Sequence, residues 1–162
     1  MSRWIKNWFS NYEPFDNPLI YQNLAFRFPE TFYQAMKTPK DLIEVRRRIS
    51  LMQPWEAKRF WRGKKNKRIY MRKDWFDINI PVMQYAIDYK FAPGTSWAKM
   101  LLESNEALVE YNNWHDNFWG ACVCDRCKNK PKHNHLGKML NTKRRFLHYE
   151  SVTNEFERLK RN

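Results

Sequence analysis

The sequence predicts an α+β fold: a compact, helix-rich single domain with a small sheet. Three observations lead there. The N-terminal third carries short apolar stretches broken by turn residues, the pattern of strands. Prolines and capping residues then open successive segments whose apolar side chains recur at helical spacing. The composition, 43% hydrophobic with 8 Trp, 8 Tyr and 11 Phe in 162 residues, is the reverse of a disordered chain. A chain of this length forms one core and covers roughly 70% of its unfolded surface.

Residues 1–28 read as extended, with Trp4-Ile5, Trp8-Phe9 and residues 20–26 as short strands. Pro29 opens a helix at its first turn, with Phe32, Tyr33 and Met36 at helical spacing, closing near Lys37. Thr38-Pro39 starts a second, striped by Leu42, Val45 and Ile49, and Pro54 a third that ends at Gly63. From Asp74 the chain is helical again, most clearly over 82–91, until Pro93-Gly94 stops it. Thr95 or Ser96 caps the next helix, through Leu102. Residues 107–111 read as a strand that completes the small sheet, and 114–131 as an irregular loop. The last clear helix covers 134–148, with Leu136, Met139, Leu140 and Leu147 apolar. The domain is expected to span 1–150, followed by a charged tail at 151–162 that frays from Asn154.

Several classes are excluded. The longest uncharged stretches, 17–26 and 78–87, are about half of what a membrane-spanning helix needs. Residues 1–8 interleave Arg3 and Lys6 with single apolar residues, which is not a secretory signal, so a cytoplasmic protein is expected. Three cysteines crowded together suit a reducing compartment better than a disulfide framework. Four scattered glycines cannot form a phosphate-cradling loop.

The net charge of +13 is concentrated. Residues 58–73 hold nine basic side chains and no acidic one, among them Arg62, Lys64, Lys65, Lys67 and Arg68, with Phe60, Trp61 and Tyr70 interleaved. Phosphates are the natural partner of such a segment, and the aromatics could stack on bases; the alternative is a solvated loop that keeps the protein soluble. Arg46, Arg47 and Arg48 extend the field. The second chemical signal is Cys122-x-Cys124-x-x-Cys127, followed by His133-x-His135. Three thiolates and His133 could close a tetrahedral structural zinc site, or the thiols could simply be reduced side chains in a packed loop.

Five blocks, in order, carry a resemblance: Phe9-Ser10-Asn11-Tyr12; Pro29-Glu30-Thr31-Phe32-Tyr33-Gln34-Ala35-Met36-Lys37; Arg72-Lys73-Asp74-Trp75; Asp116-Asn117-Phe118-Trp119-Gly120; and Asn134-His135-Leu136-Gly137-Lys138-Met139-Leu140. In this the chain resembles the NADAR, or YbiA-like, family from about Phe9 to about Arg145. The resemblance implies a compact α+β fold that cleaves N-glycosidic bonds, with family activities on ribosylated riboflavin intermediates and on ADP-ribose attached to guanine in nucleic acid. It places the activity-linked residues at Glu30, Trp75 and Asp116. The surrounding blocks make Asn11, Tyr33, Gln34, Lys37, Arg72, Trp119, Gly120 and Asn134 the expected substrate-binding set. Cleaving a C1'–N bond asks for the same equipment, since an oxocarbenium-like ribose needs a carboxylate and the departing base needs a proton or hydrogen-bond donor. Glu30 and Asp116 are the expected pair, with Trp75 as a stacking wall and no cofactor required. Each residue also has a structural role open to it: dipole complement for Glu30, turn cap for Asp116, core for Trp75 and Trp119.

The sequence departs from the family where Pro29 and Thr31 flank the glutamate, where Trp61 stands at a common glycine, and where Ala121 follows Trp119-Gly120. These changes bear on substrate choice. Three functions are therefore carried forward: hydrolysis of ADP-ribose from guanine in DNA or RNA, which the charge favours and which would fit toxin reversal or phage counter-defence; N-glycosidase action on a riboflavin-pathway intermediate; and a binding module for ADP-ribose or another NAD-derived ligand.

Overall fold

The computed structural model describes residues 9–161, so the strands expected at Trp4-Ile5 and Trp8 lie outside the described residues. The chain, expected as one domain over 1–150, resolves into two compact units. One is Ser10–Lys90; the other is built from Phe91 onward together with Phe9.

In the Ser10–Lys90 unit, β1 (Leu19–Tyr21) and β2 (Leu24–Phe26) form an antiparallel hairpin that pairs Leu19 with Phe26. The sequence reads residues 20–26 as one strand. Gln22 and Asn23 instead take φ of 51° and 59°, the two successive left-handed residues that turn a two-residue hairpin. Helix α1 (Pro29–Ala35) starts on proline, which needs no N–H partner there, and all seven of its residues are buried. Around it pack α2 (Ile43–Ser50), α3 (Pro54–Phe60) and α5 (Trp75–Lys90). Helix α2 begins later than expected because residues 39–42 form a turn, with Leu42 N donating to Pro39 O. Arg46 is 2% exposed, and its guanidinium donates to Thr38 O and Gln22 Oε1. It therefore serves the core and offers no exposed group to a partner, unlike exposed Arg47 and Arg48. Between α3 and α5 lies α4 (Lys64–Tyr70), a helix that buries none of its residues.

In the other unit, Thr95 caps α6 (Ser96–Glu103) by accepting from Ala98 N, and α6 packs on α7 (His135–Leu159). Strand β3 (Tyr111–Asn112) pairs in parallel with β4 (Ala121–Cys122). Of the strand expected at 107–111 only Tyr111 is extended in a ladder, and its partner is β4 and not the N-terminal hairpin. The described residues thus hold two two-stranded sheets where the sequence suggested one. Gly120 explains the closeness of that pairing, because a Cβ there would lie 2.2 Å from Glu110 O. Helix α7 buries Leu136, Met139, Leu140 and Leu147 as its spacing predicts. It then runs past 148 to Leu159, where Glu155–Arg158 and Glu157–Lys160 pairs line its exposed surface. Of the stretch expected to fray, residues 154–159 are helical.

Candidate active site

Helix α1 sets one carboxylate at the centre of the Ser10–Lys90 unit. Glu30, Gln34 and Lys37 follow one another at i, i+4 and i+7, so the three side chains share a face. Glu30 is 7% exposed, and Gln34 Nε2 donates to its Oε1 at 2.7 Å. Its backbone N–H bonds Asn11 O, which brings the Asn11 block to the same place. Asn11 is itself buried, with Nδ2 donating to Met83 Sδ. Asn11 Oδ1 and Gln34 Oε1 are buried acceptors with no donor. A buried acceptor without a partner is costly, so both invite a hydroxyl or N–H group.

Lys37 closes the arrangement. Its ammonium lies 5.4 Å from the Tyr33 ring centre, 5.6 Å from that of Trp75 and 5.9 Å from that of Trp61. Three rings present negative faces to the cation, but they also exclude water. Burial consequently lowers its pKa from 10.5 to about 8; Glu30 opposes that shift, while the positive charges of Lys67 and Lys58 add to it. The rings are locked in turn, for Tyr33 meets Trp75 edge-on at 4.9 Å and Trp61 Nε1 donates to Gln34 O. Arg72 N donates to Lys37 O, holding the residues before Trp75 against the end of α1. Trp75 is 3% exposed. It is a wall of the lysine cage, with Lys37 over the ring.

In the other unit the 113–134 segment is held by side chains bonding backbone. Asp116 Oδ1 accepts from the N–H groups of Phe118 and Trp119, an Asx-type turn. Asn112 spans the turn, accepting from Asp116 N and donating to Asp116 O. Trp119 is half-buried and packs edge-on against Phe118.

Residues 1–148 match the NADAR domain. The chain belongs to the NADAR-domain family. A riboflavin biosynthesis protein of Vibrio vulnificus is 29% identical over 91 residues, 56% of this chain and 24% of that protein, so the chain spans about a quarter of that relative's length. An N-glycosidase of Nostoc punctiforme is 29% identical over 134 residues, covering 82% of this chain and 80% of that protein. The NMR structure of YbiA from E. coli superposes with a TM-score of 0.66 at 27% identity, over 89% of this chain and 79% of that one. Among the described residues no helix is long and apolar enough to cross a membrane.

Of the residues expected from the NADAR resemblance, Asn11, Glu30, Tyr33, Gln34, Lys37 and Trp75 come together in one unit. Arg72 belongs to the same unit but is engaged: its Nε and Nη2 bond both oxygens of Asp74, and that hydrogen bonding holds the Asp74 carboxyl below its ordinary pKa. Asp116, Trp119, Gly120 and Asn134 lie in the other unit. Two of them serve structure as they stand. Gly120 makes room for Glu110, and Asn134, in a left-handed conformation with φ 49°, accepts from Glu110 N and donates to Leu108 O.

The five basic residues Arg62, Lys64, Lys65, Lys67 and Arg68 are all exposed, four of them on α4. Their interleaved aromatics are not free for bases, since Phe60 stacks on Tyr70 and meets Trp61 edge-on, and Trp61 is 3% exposed. Trp55, 55% exposed beside Arg59 in an open groove of about 410 Å³, is the available ring there. The sequence reading did not place Trp61 beside Lys37 and Gln34. Only a contact across 27 positions assigns Trp61 to Gln34, and no local spacing encodes it. The cysteine cluster needs one correction. His133 is not at the thiols; its N–H bonds Asn117 O and its ring lies parallel to that of His135 at 5.5 Å. His115 takes that place.

Proposed function

We propose that this NADAR protein hydrolyses N-glycosidic bonds, and that its substrate is ADP-ribose attached to a guanine base of DNA or RNA. The observation that carries the reading is the buried Glu30 carboxylate, bonded by Gln34 and neighboured by an aromatic-caged Lys37 whose pKa is about 8. In this reading Glu30 takes a proton from water as the water oxygen bonds C1', and its negative charge steadies the oxocarbenium-like ribose as the C1'–N bond breaks. Lys37, more acidic than an ordinary lysine, gives its proton to the departing nitrogen. The free acceptors Gln34 Oε1 and Asn11 Oδ1 receive ribose hydroxyls. Water is the only co-reactant, so the step needs no cofactor. Asp116 is the second carboxylate that the family resemblance suggests.

The nucleic-acid substrate is supported by the exposed basic face of α4, whose Lys67 is close enough to influence the Lys37 charge. A splayed-out modified base would approach from that side. A second reading, action on a ribosylated riboflavin intermediate, is favoured by the name of the Vibrio vulnificus relative. The deciding experiment offers both substrates side by side to wild-type, Glu30→Gln and Asp116→Asn proteins. ADP-ribose release from guanine-modified single-stranded DNA, lost in Glu30→Gln, supports the proposal. Turnover of the riboflavin intermediate alone replaces the substrate, and tight ADP-ribose binding without turnover of either makes the protein a binding module.

A further inference from the structure

We propose that His115, Cys122, Cys124 and Cys127 form a closed structural zinc site that staples the 113–134 segment. The potential ligand atoms, His115 Nδ1 and the three Sγ atoms, all lie within 4.8 Å of one another. Cys122 Sγ is 3.3 Å from Cys124 Sγ, and His115 Nδ1 is 3.2 Å from Cys124 Sγ and 3.6 Å from Cys127 Sγ. A tetrahedral zinc with bonds of about 2.3 Å to sulfur and about 2.0 Å to nitrogen has edges of roughly 3.5–3.8 Å. The observed spacings bracket that value. They are far longer than the S–S bond of about 2.05 Å in a disulfide, and the three cysteines are free.

Four features of the chain prepare this cluster. His115 is held at φ 69°, a conformation that a non-glycine residue rarely adopts without a local reason; here it turns Nδ1 toward the thiols. Cys122 and Cys127 are buried, while His115 is exposed, so the site is walled on one side and reachable on the other. The Asn117 side chain accepts from Cys122 N at 2.9 Å, the kind of outer contact that orients metal ligands. Cys127 N donates to Cys124 O, the tight turn that brings a Cys-x-x-Cys pair onto one ion.

Four protein ligands leave no open position, so the ion would hold structure and not activate water. The need is local. Between β3 and α7 the only regular elements are two-residue β4 and a three-residue 3-10 turn at Asp125–Cys127. Asp116 and Asn117 lie between the first ligand and the other three, so the metal would fix the turn that carries Asp116.

The test is elemental analysis of protein purified without added zinc, with wild-type, His115→Ala and His133→Ala compared and Co²⁺ substituted for a thiolate-to-metal absorption band. One zinc per chain is expected in wild type and in His133→Ala, with affinity weakened at least about tenfold in His115→Ala. Loss in His133→Ala with retention in His115→Ala would overturn the ligand set. If His115→Ala does not fold, the wild-type thiols decide: added Zn²⁺ should slow the modification of three thiols together. Sub-stoichiometric zinc combined with three thiols that react equally fast with and without Zn²⁺ removes the site.

Discussion

The Glu30 cage and the 113–134 loop carry the two expected carboxylates, and they are held in contrasting ways. Glu30 sits on a helix whose every residue is buried, so its position follows from the packing of α2, α3 and α5 around α1. Asp116 sits on a loop with almost no regular structure, where Asn112, Asn117 and Asn134 bond backbone groups in place of ladder partners. A carboxylate placed by a buried helix is poorly hydrated and acts on its neighbours, as Glu30 does in opposing the burial that lowers the Lys37 pKa. One that already accepts two backbone N–H groups is spoken for. The difference makes Glu30 the stronger candidate for chemistry and Asp116 the stronger candidate for shaping a loop.

The comparison breaks first at Glu30. Replacing it by Gln is expected to slow hydrolysis by roughly 10²- to 10⁴-fold with the thermal unfolding midpoint little changed; Asp116→Asn, by contrast, should alter melting and turnover together. Comparable rate losses at both positions, with both proteins equally stable, would put the two carboxylates on the same footing.

Glycine substitutions separate the units by stability. Gly120→Ala drives a Cβ to 2.2 Å from Glu110 O and is expected to cost roughly 2 kcal/mol or more. Gly63→Ala meets nothing within 4 Å and, at the N-cap of α4, should cost less than about 1 kcal/mol. Equal unfolding curves for the two would mean that the β3–β4 pairing has slack that its close contact belies.

The basic helix gives a third measurement. Neutralising Lys64 and Lys65 together should reduce the salt dependence of single-stranded DNA binding, lowering the slope by about 1.4, or 0.7 per lost contact. Turnover of a mononucleoside substrate should be unaffected. A slope that stays unchanged would move the strand away from α4.

The smallest effect concerns pH and stability. Burial lowers Lys90 to about 7 and Lys37 to about 8, both from 10.5. A lysine with a lowered folded-state pKa binds its proton more tightly when unfolded, so stability should rise with pH from about 7 toward 10.5, with the burial cost fully present below about 7. Each group contributes at most about 1.4 kcal/mol per pH unit. Lys90→Met should make the rise of the denaturant midpoint between pH 7 and 8 shallower, leaving the part that Lys37 contributes, and a profile as steep as wild type there would contradict the shift. For activity the sign is opposite. If Lys37 acts as the acid, kcat/KM should fall as pH rises through about 8.

Much of this was legible in the residues. Proline at the start of α1 and α3, the Thr95 cap and the spacing of Leu136, Met139, Leu140 and Leu147 are local signals, and local signals survive folding. Glu30, Gln34 and Lys37 were named because they stand in one short motif block of the family resemblance, and that block folds as a single helix and its C-terminal turn. The hairpin inside 20–26 was missed because Gln22 and Asn23 lack the glycine that usually marks such a turn. Arg46 was read as surface charge because nothing nearby reveals that the Thr38 carbonyl and Gln22 will receive its guanidinium.

By itself, then, the sequence determined the starts of α1, α3 and α6, the carboxylate on α1, the charge of α4 and the membership of a family, since each depends on neighbours within a turn or on motifs in order. Tertiary structure decided which tryptophans cage Lys37, which histidine joins the cysteines and which charges are buried. Those outcomes depend on contacts between residues far apart in the chain, where side-chain identity constrains the partner only after the backbone has brought them together.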